Sequence, residues 1–424
     1  MAEVPATQGI APDAEVGIIG AGIIGVASAF ELSRQGYRVT LFDQDQPGRF
    51  GPSFGNAGHI AGSDIFPLSK PGIERTALRM LADRDGPLKL SASHLPKSLP
   101  WLWNFWRSGR GDNYLRSIRA LTAISADAVE STETLFAQAG IADKLQRKAA
   151  LYLYESDRSY DASKADWAEK ASNGRASITV DDAAIRDLEP DLAPLFRHGV
   201  LSQEWALVSD PYDVVTGLAK AAQRMGVNFE CAKVERIAVS DTGAEIFIDG
   251  KPRSFDAVLI AAGVWSRGFA AQLGEALPLE AERGYNLTYP DAPVRNEHPL
   301  VFADRGIVST TLTSGLRIGG WAEYAGLRAP AGQTYFLRLH RICRTLFPGI
   351  DDKSGIEWMG PRPSLPDSVP VLSRSARAPR IFYACGHGHY GLTQAAKSAN
   401  LITDLISGKA ADDDLALFSI RRFS

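Results

Sequence analysis

The chain is poor in cysteine. Its three cysteines in 424 residues, Cys231, Cys343 and Cys385, are widely spaced and odd in number. No C-x-x-C pair occurs, so neither a disulfide framework nor a metal site of the zinc type is expected, and a reducing compartment is the simplest setting. A charge excess of one sign is missing too. The chain has 46 Lys and Arg against 49 Asp and Glu, a net charge of -3, which gives no basic footprint for nucleic acid. Long hydrophobic runs are absent. The apolar stretch Val16 to Phe30 is glycine-rich and shorter than the roughly 20 residues that span a bilayer. Residues 1–15 contain no Lys or Arg, so that stretch also lacks the basic flank of a signal peptide. A cytoplasmic location is expected. No internal repeat or low-complexity tract is found.

What is present is an ordinary globular composition, 45% hydrophobic and 22% charged, at a length that suits two domains. Residues 16–25 read VGIIGAGIIG and carry G-x-G-x-x-G at Gly20, Gly22 and Gly25. The motif alone is weak, because nicotinamide and flavin proteins both use it. Its context is stronger. Glu15–Ile19 reads as a buried strand, Ile23–Gln35 has helical spacing and stops at Gly36, and Tyr37–Phe42 reads as a second strand closing at Asp43. Such a βαβ unit holds a pyrophosphate on its helix N-terminus, where free N–H groups and the macrodipole favour negative charge. Gly20 permits the tight turn, Gly22 lets phosphate approach, and Gly25 allows close helix–strand contact. Asp43 is placed to accept hydrogen bonds from ribose hydroxyls.

More strands of this sheet are expected far downstream. Asp210-Pro211 starts a helix ending near Gly226, followed by short strands at 227–230 and 234–239. The run AVLIAA at 257–262 suits a sheet covered on both faces. A last strand, Ile381–Cys385, enters a glycine-rich turn before a helix from about Leu392 to Ser407. Between these segments, residues 63–207 are mostly helical in pattern, while 276–354 alternate as an antiparallel sheet would. The expected fold class is α/β, a Rossmann-like nucleotide-binding domain with an inserted α+β substrate domain containing an antiparallel sheet. The nucleotide domain is assigned to 1–62, 208–275 and 355–424, and the substrate domain to 63–207 and 276–354.

Four blocks then line up: IIGAGIIG with Asp43, SFGNAGHI at 53–60, AAGVWS at 261–266, and GPRPSLPDSVPVL at 360–372 preceding CGHGHYGLT at 385–393. Their order and separation resemble the D-amino-acid oxidase superfamily of FAD-dependent oxidoreductases, which includes glycine oxidase and sarcosine oxidase. The likeness is greatest to the bacterial D-amino-acid dehydrogenase of small-subunit type, and it spans almost the whole chain. A second glycine-rich helix start near residue 390 has little use in a nicotinamide enzyme. It suits a flavin, whose reduced anion a helix N-terminus stabilises.

The resemblance implies non-covalent FAD held by Gly20, Ala21, Gly22, Ile23, Ile24, Gly25, Asp43 and Gln44, by Ser53, Asn56, Ala57, Gly58 and His59, by Val234, and by Ala261, Ala262, Gly263 and Trp265. At the C-terminal turn it implies Gly388, His389, Gly391, Leu392 and Thr393. Asp43 departs from the commoner Glu and has a shorter reach. His59 is not expected to attach the flavin covalently, because it follows the small-residue triplet that an attachment histidine precedes. Arg362 matches the arginine that pairs with a substrate carboxylate, a task for which a guanidinium fork is suited. Tyr285, His389 and Tyr390 complete the implied catalytic set; Tyr285 or Arg283, both in ERGYNLTYP, would support carboxylate or amine binding, with a core-edge role equally open, and Glu323 is expected to be structural.

The activity implied is oxidation of an amino acid at Cα, with hydride passing to the flavin and the imine hydrolysing to 2-oxo acid and ammonia. D-amino acids lead, cyclic ones such as D-proline or a hydroxyproline isomer included. A glycine- or sarcosine-type amine oxidase of the same fold and a flavoprotein relay subunit stay open beside that reading. An electron acceptor (quinone, carrier protein or oxygen) is implied, and the oligomeric state is left open. The indole-dense segment PWLWNFW at 100–106 reads either as core packing or as an interfacial patch meeting a membrane or the acceptor.

Overall fold

The computed structural model describes residues 9–83, 86–239, 243–351 and 354–423. A six-stranded sheet runs in the order Asn228–Cys231, Arg38–Asp43, Glu15–Ile19, Ala257–Ile260, Ile381–Cys385, Val371–Arg374. All its pairings are parallel except the last. The inner strands are buried on both faces, as their unbroken apolar runs require. Helices Ile23–Arg34, Pro211–Arg224 and Gly391–Ser407 share one core over this sheet. The opening helix stops where Gly36 takes φ +92°, a left-handed conformation open to glycine without strain. The Asp210 carboxylate caps the helix at 211, accepting from the Tyr212 amide at 2.8 Å.

The second sheet has nine strands. Its path is Ile356–Ser364, Glu280–Tyr289, Gly315–Tyr324, Ile307–Leu312, Leu300–Phe302, Ala150–Tyr154, His198–Ser202, Ser177–Asp181, with Leu88–Leu90 beside 315–324. One face buries Tyr285, Leu287, Ile318 and Leu153 against helix Gln333–Leu346. The opposite face meets the nucleotide domain. There Asn286 Nδ2 donates to Gly55 O at 2.8 Å, Arg317 Nη1 to Asn56 O at 2.6 Å, and the Trp358 ring lies against Gly55.

Three expectations shift. Residues 63–207 carry helices but also supply strands 150–154, 177–181 and 198–202 to the large sheet, because runs such as ALYLY alternate with period two. Residues 236–239 are not in the parallel sheet; they pair antiparallel with Ala244–Ile248 in a separate three-stranded sheet. The large sheet also continues past residue 354, since 356–364 pairs with 280–289 along its full length. Pro361 and Pro363 make this strand read as loop, yet it is an edge strand, where a missing N–H costs no ladder bond.

The indole-rich segment is partly buried and partly exposed. It lies on helix Leu95–Ser108, where Trp101 is buried and its Nε1 donates to Ser364 O at 3.2 Å. Leu99, Trp103 and Trp106, spaced i, i+4, i+7, are 56%, 59% and 37% exposed.

Candidate active site

The first glycine turn is built by close contact. Gly20 has φ +107°, and a Cβ there would sit 2.5 Å from Ala261 O. A Cβ on Gly25 would lie 1.8 Å from Gly20 O, so the helix can approach the strand only with glycine. Gly22 instead faces open space, the Ser53 hydroxyl excepted. That hydroxyl accepts from the Ile23 amide at 3.1 Å, and the first turn of the helix carries no acidic residue. The positive end of the helix is left for an anion. Asp43 closes the second strand, its Oδ2 accepting from the Ala21 amide at 2.7 Å; burial raises its pKa.

A cavity of about 460 Å³ opens along this turn. It is lined by Gly20, Gly22, Ile23, Ile24, Asp43, Gln44, Ser53, Asn56, Val234, Ala261, Ala262, Gly263, Trp265, Gly388, Gly391 and Leu392. Both glycine bends therefore border one space, with two helix N-termini beside it. The donor set suits an elongated anionic dinucleotide: backbone amides at the centre, a carboxylate at one end, apolar walls elsewhere. Ala21 and Gly25 lie behind the lining as buried supports. Ala57, Gly58, His59, His389 and Thr393 are outside it. The Thr393 hydroxyl ties strand His59–Ala61 to the second helix, accepting from the Ala61 amide at 3.0 Å and donating to His59 O. His59 bonds Thr310 through Nε2, and burial holds its pKa down at about 4. Phe50, its ring tilted against Trp265 at 5.1 Å, and buried His387 also line the cavity. Sequence reading missed both, although His387 sits inside the very turn it singled out.

Arg362 stands over Gly284, where a Cβ would lie 2.3 Å from Nη2. Its Nη1 donates to Glu282 Oε1 at 2.9 Å and Trp321 O at 2.7 Å, and meets His389 Nε2 at 3.1 Å. Nη2 makes only a 3.4 Å bond to Gly320 O, and Nε carries none among the described residues. Glu282 is fully buried, with Ser364 Oγ donating to Oε2 at 2.6 Å and His389 Nε2 2.6 Å from Oε1. Burial would raise its pKa, but the charges and hydrogen bonds of His389 and Arg362 outweigh it and hold the carboxyl well below the usual range. Glu282 was missed, since nothing local marks one acid in a strand. Trp321, whose carbonyl serves Arg362, has φ +59° at the bulge between Arg283 and Tyr285.

The structure brings His389 and Arg362 together but not Tyr285. Glu282, Gly284 and Asn286 face the nucleotide domain, so by alternation Arg283 and Tyr285 face the other way. Tyr285 OH donates to Glu323 Oε2 at 2.5 Å, Tyr335 OH to Oε1 at 3.1 Å, and Arg283 Nη1 lies 3.2 Å from Oε2. Tyr285 is thus a structural member of a buried cluster, and Glu323 is its anchor. Tyr390 begins the last helix as its N-cap; burial raises its phenol pKa, and the Asp64 and Glu282 carboxylates push the same way.

Comparison with known proteins places this geometry. The family model described as DAO, FAD dependent oxidoreductase, matches residues 15–405. A D-amino-acid oxidase of Bradyrhizobium diazoefficiens is 33% identical over 417 residues, covering 96% of this chain and 98% of the relative. A D-amino acid dehydrogenase of Rhizobium rhizogenes is 30% identical over 417 residues, 96% of this chain and 100% of the relative. The crystal structure of glycine oxidase from Geobacillus kaustophilus superposes with a TM-score of 0.71 at 22% identity, covering 96% and 98% of the two chains.

Proposed function

Since this chain belongs to the DAO family of FAD-dependent oxidoreductases, we propose that it oxidatively deaminates D-amino acids, cyclic ones such as D-proline and hydroxyproline included. It is an amino-acid-oxidising flavoenzyme with FAD as cofactor. The observation that carries the substrate reading is Arg362, whose Nη1 is saturated by protein acceptors while the Nε–Nη2 edge is left for a ligand. That edge offers two parallel donors, which suits a carboxylate bidentately and fixes the attached Cα.

Bound FAD supplies the hydride acceptor for the substrate Cα. The two glycine bends and Asp43 hold the cofactor, and Arg362 anchors the carboxylate. Glu282 keeps the guanidinium in place and offsets its charge. His389, 2.6 Å from the same carboxylate, stands beside the anchor, where it would meet the substrate amine. The Tyr390 phenol, its pKa raised, stays protonated at neutral pH and is available as a hydrogen-bond donor. Burial of the substrate amine away from water would lower its pKa, so no strong base is needed. The imine leaves and hydrolyses to 2-oxo acid and ammonia.

The test is anaerobic mixing with a panel of D- and L-amino acids while flavin absorbance is followed. Bleaching by D-amino acids alone is expected. Bleaching only by glycine or sarcosine would reassign the substrate, and none by any amine would make the chain a relay subunit.

An acceptor must remove the electrons. We propose that the exposed face of Leu99, Trp103 and Trp106, flanked by exposed Lys97 and Arg107, meets an anionic membrane surface from which quinone is drawn. No helix among the described residues is long and apolar enough to cross a membrane, so the contact would be peripheral. Flotation with anionic vesicles should carry the protein up, and Trp103→Ser with Trp106→Ser should leave it at the bottom.

A further inference from the structure

A second polar centre lies on the same face of the large sheet as Arg362. Tyr152 belongs to the row Trp358, Asn286, Gly319, Val308, Val301, Tyr152, which crosses six strands in register. Its hydroxyl donates to Asp64 Oδ1 at 2.7 Å. The same oxygen accepts from Lys170 Nζ at 2.8 Å. Lys170 is buried, and its ammonium lies 5.0 Å and 4.7 Å from the ring centres of Tyr152 and Trp167. An ion pair this enclosed is costly to assemble and holds Asp64 in one orientation. Yet Asp64 Oδ2 takes no hydrogen bond among the described residues, and the side chain keeps 23% of its surface exposed.

Asp64 is also tied through the backbone to the helix start beside Tyr390. Its amide donates to Ala61 O at 3.2 Å, and the Ala61 amide is fixed by Thr393 in the first turn of the helix that follows Tyr390. Its charge acts on both His59 and Tyr390, and Tyr390 feels Glu282 as well. Tyr390 therefore feels two carboxylates, one binding Arg362 and the other Lys170. The proposed mechanism gives the second no task.

We infer that Asp64, oriented by Lys170 and Tyr152, is a specificity-determining residue that accepts a hydrogen bond from a hydroxyl on the substrate side chain. This rests on the D-amino-acid reading above and refines it to hydroxylated substrates. A neutral donor is favoured over a cationic one, because Lys170 sits 2.8 Å from the same carboxylate and repels a second positive charge. A site built to bond a hydroxyl rejects the analogue lacking it, which leaves a polar group unpaired.

The experiment compares kcat/KM for matched pairs, cis-4-hydroxy-D-proline against D-proline and D-serine against D-alanine, in the flavin-loaded enzyme and in Asp64→Ala. Wild type should prefer the hydroxylated member at least tenfold in one pair or the other. Asp64→Ala should erase that preference through KM while changing the plain substrate less than threefold. Tyr152→Phe, which keeps the ring and drops one bond to Asp64, should reduce the preference in the same direction, and it decides the matter if Asp64→Ala does not fold. D-amino acids turned over without any hydroxyl preference, or with one untouched by these variants, would overturn the subsite alone. No turnover of any D-amino acid would overturn the parent reading and the subsite with it.

Discussion

A single buried carboxylate sets the state of the proposed anchor. Glu282 is fully enclosed and bonds Arg362, His389 and Ser364 at once. Removing one partner of such a pair leaves the other charge uncompensated, which costs about 3–5 kcal/mol. Glu282→Ala should therefore lower the free energy of urea unfolding by that order. Glu282→Gln, which keeps an acceptor for Arg362 and Ser364, should lose less. Equal stability of Glu282→Ala and wild type would mean that Glu282 is not an ionised partner of Arg362. His387 gives a pH signature of opposite chemistry. Burial holds its pKa down at about 3 against 6.5 in the open chain, and its Nε2 bonds Ser398 Oγ at 2.9 Å. Above pH 6.5 it is neutral in both states and contributes nothing to pH dependence. As pH falls below 6.5 the unfolded chain takes a proton that the folded chain refuses, so stability drops through pH 4. Unfolding midpoints at pH 7 and pH 5 should differ in wild type and differ less in His387→Asn. Neither residue announced itself. Glu282 and Arg362 are 80 positions apart, and a strand's alternation shows that Glu282 and Tyr285 point oppositely without telling which faces the cofactor.

Elements were legible where their signals are local. Glycine spacing, an Asp-Pro helix start and buried apolar runs located the parallel sheet, because each depends on contacts within a few residues. The edge strand 356–364 was hidden by its prolines, and the three strands at 150–154, 177–181 and 198–202 were lost among helices. Their pairing partners are distant, and period-two runs as short as ALYLY do not stand out among helical segments. The first helix allows a direct test of which glycine contacts are obligatory. A Cβ at position 25 would overlap Gly20 O, whereas Ser53 only accepts a hydrogen bond from the Ile23 amide. Gly25→Ala should be isolated with little FAD, judged by the ratio of flavin to protein absorbance. Ser53→Ala should keep its FAD and lose about 0.5–2 kcal/mol, the usual worth of a helix-start acceptor. A fully yellow Gly25→Ala protein would show that the helix can move off the strand without losing the cofactor.

The whole molecule is stitched together by its cavity. Residues lining it come from three stretches far apart in sequence, 19–56, 211–272 and 363–392, and helices 23–34 and 391–407 pack on each other across that division. The antiparallel sheet then closes over the same region through Asn286, Arg317 and Trp358. A ligand seated there bonds all three stretches at once, and unfolding any one of them releases it. Binding restricted to the folded state adds stability as the logarithm of ligand concentration, about 2.7 kcal/mol at a hundredfold excess over Kd. Protein stripped of FAD should thus melt at a lower temperature than holoenzyme, and its midpoint should climb steadily with added FAD. The adenosine diphosphate half alone should give a smaller rise, because it leaves the second glycine bend at 386–391 without a partner. If FAD and the half-molecule raised the midpoint equally, the C-terminal bend would have no part in holding the flavin. Arg362 would then lie beside an edge of the protein with no chemistry to serve, and the anchor's position would need another explanation.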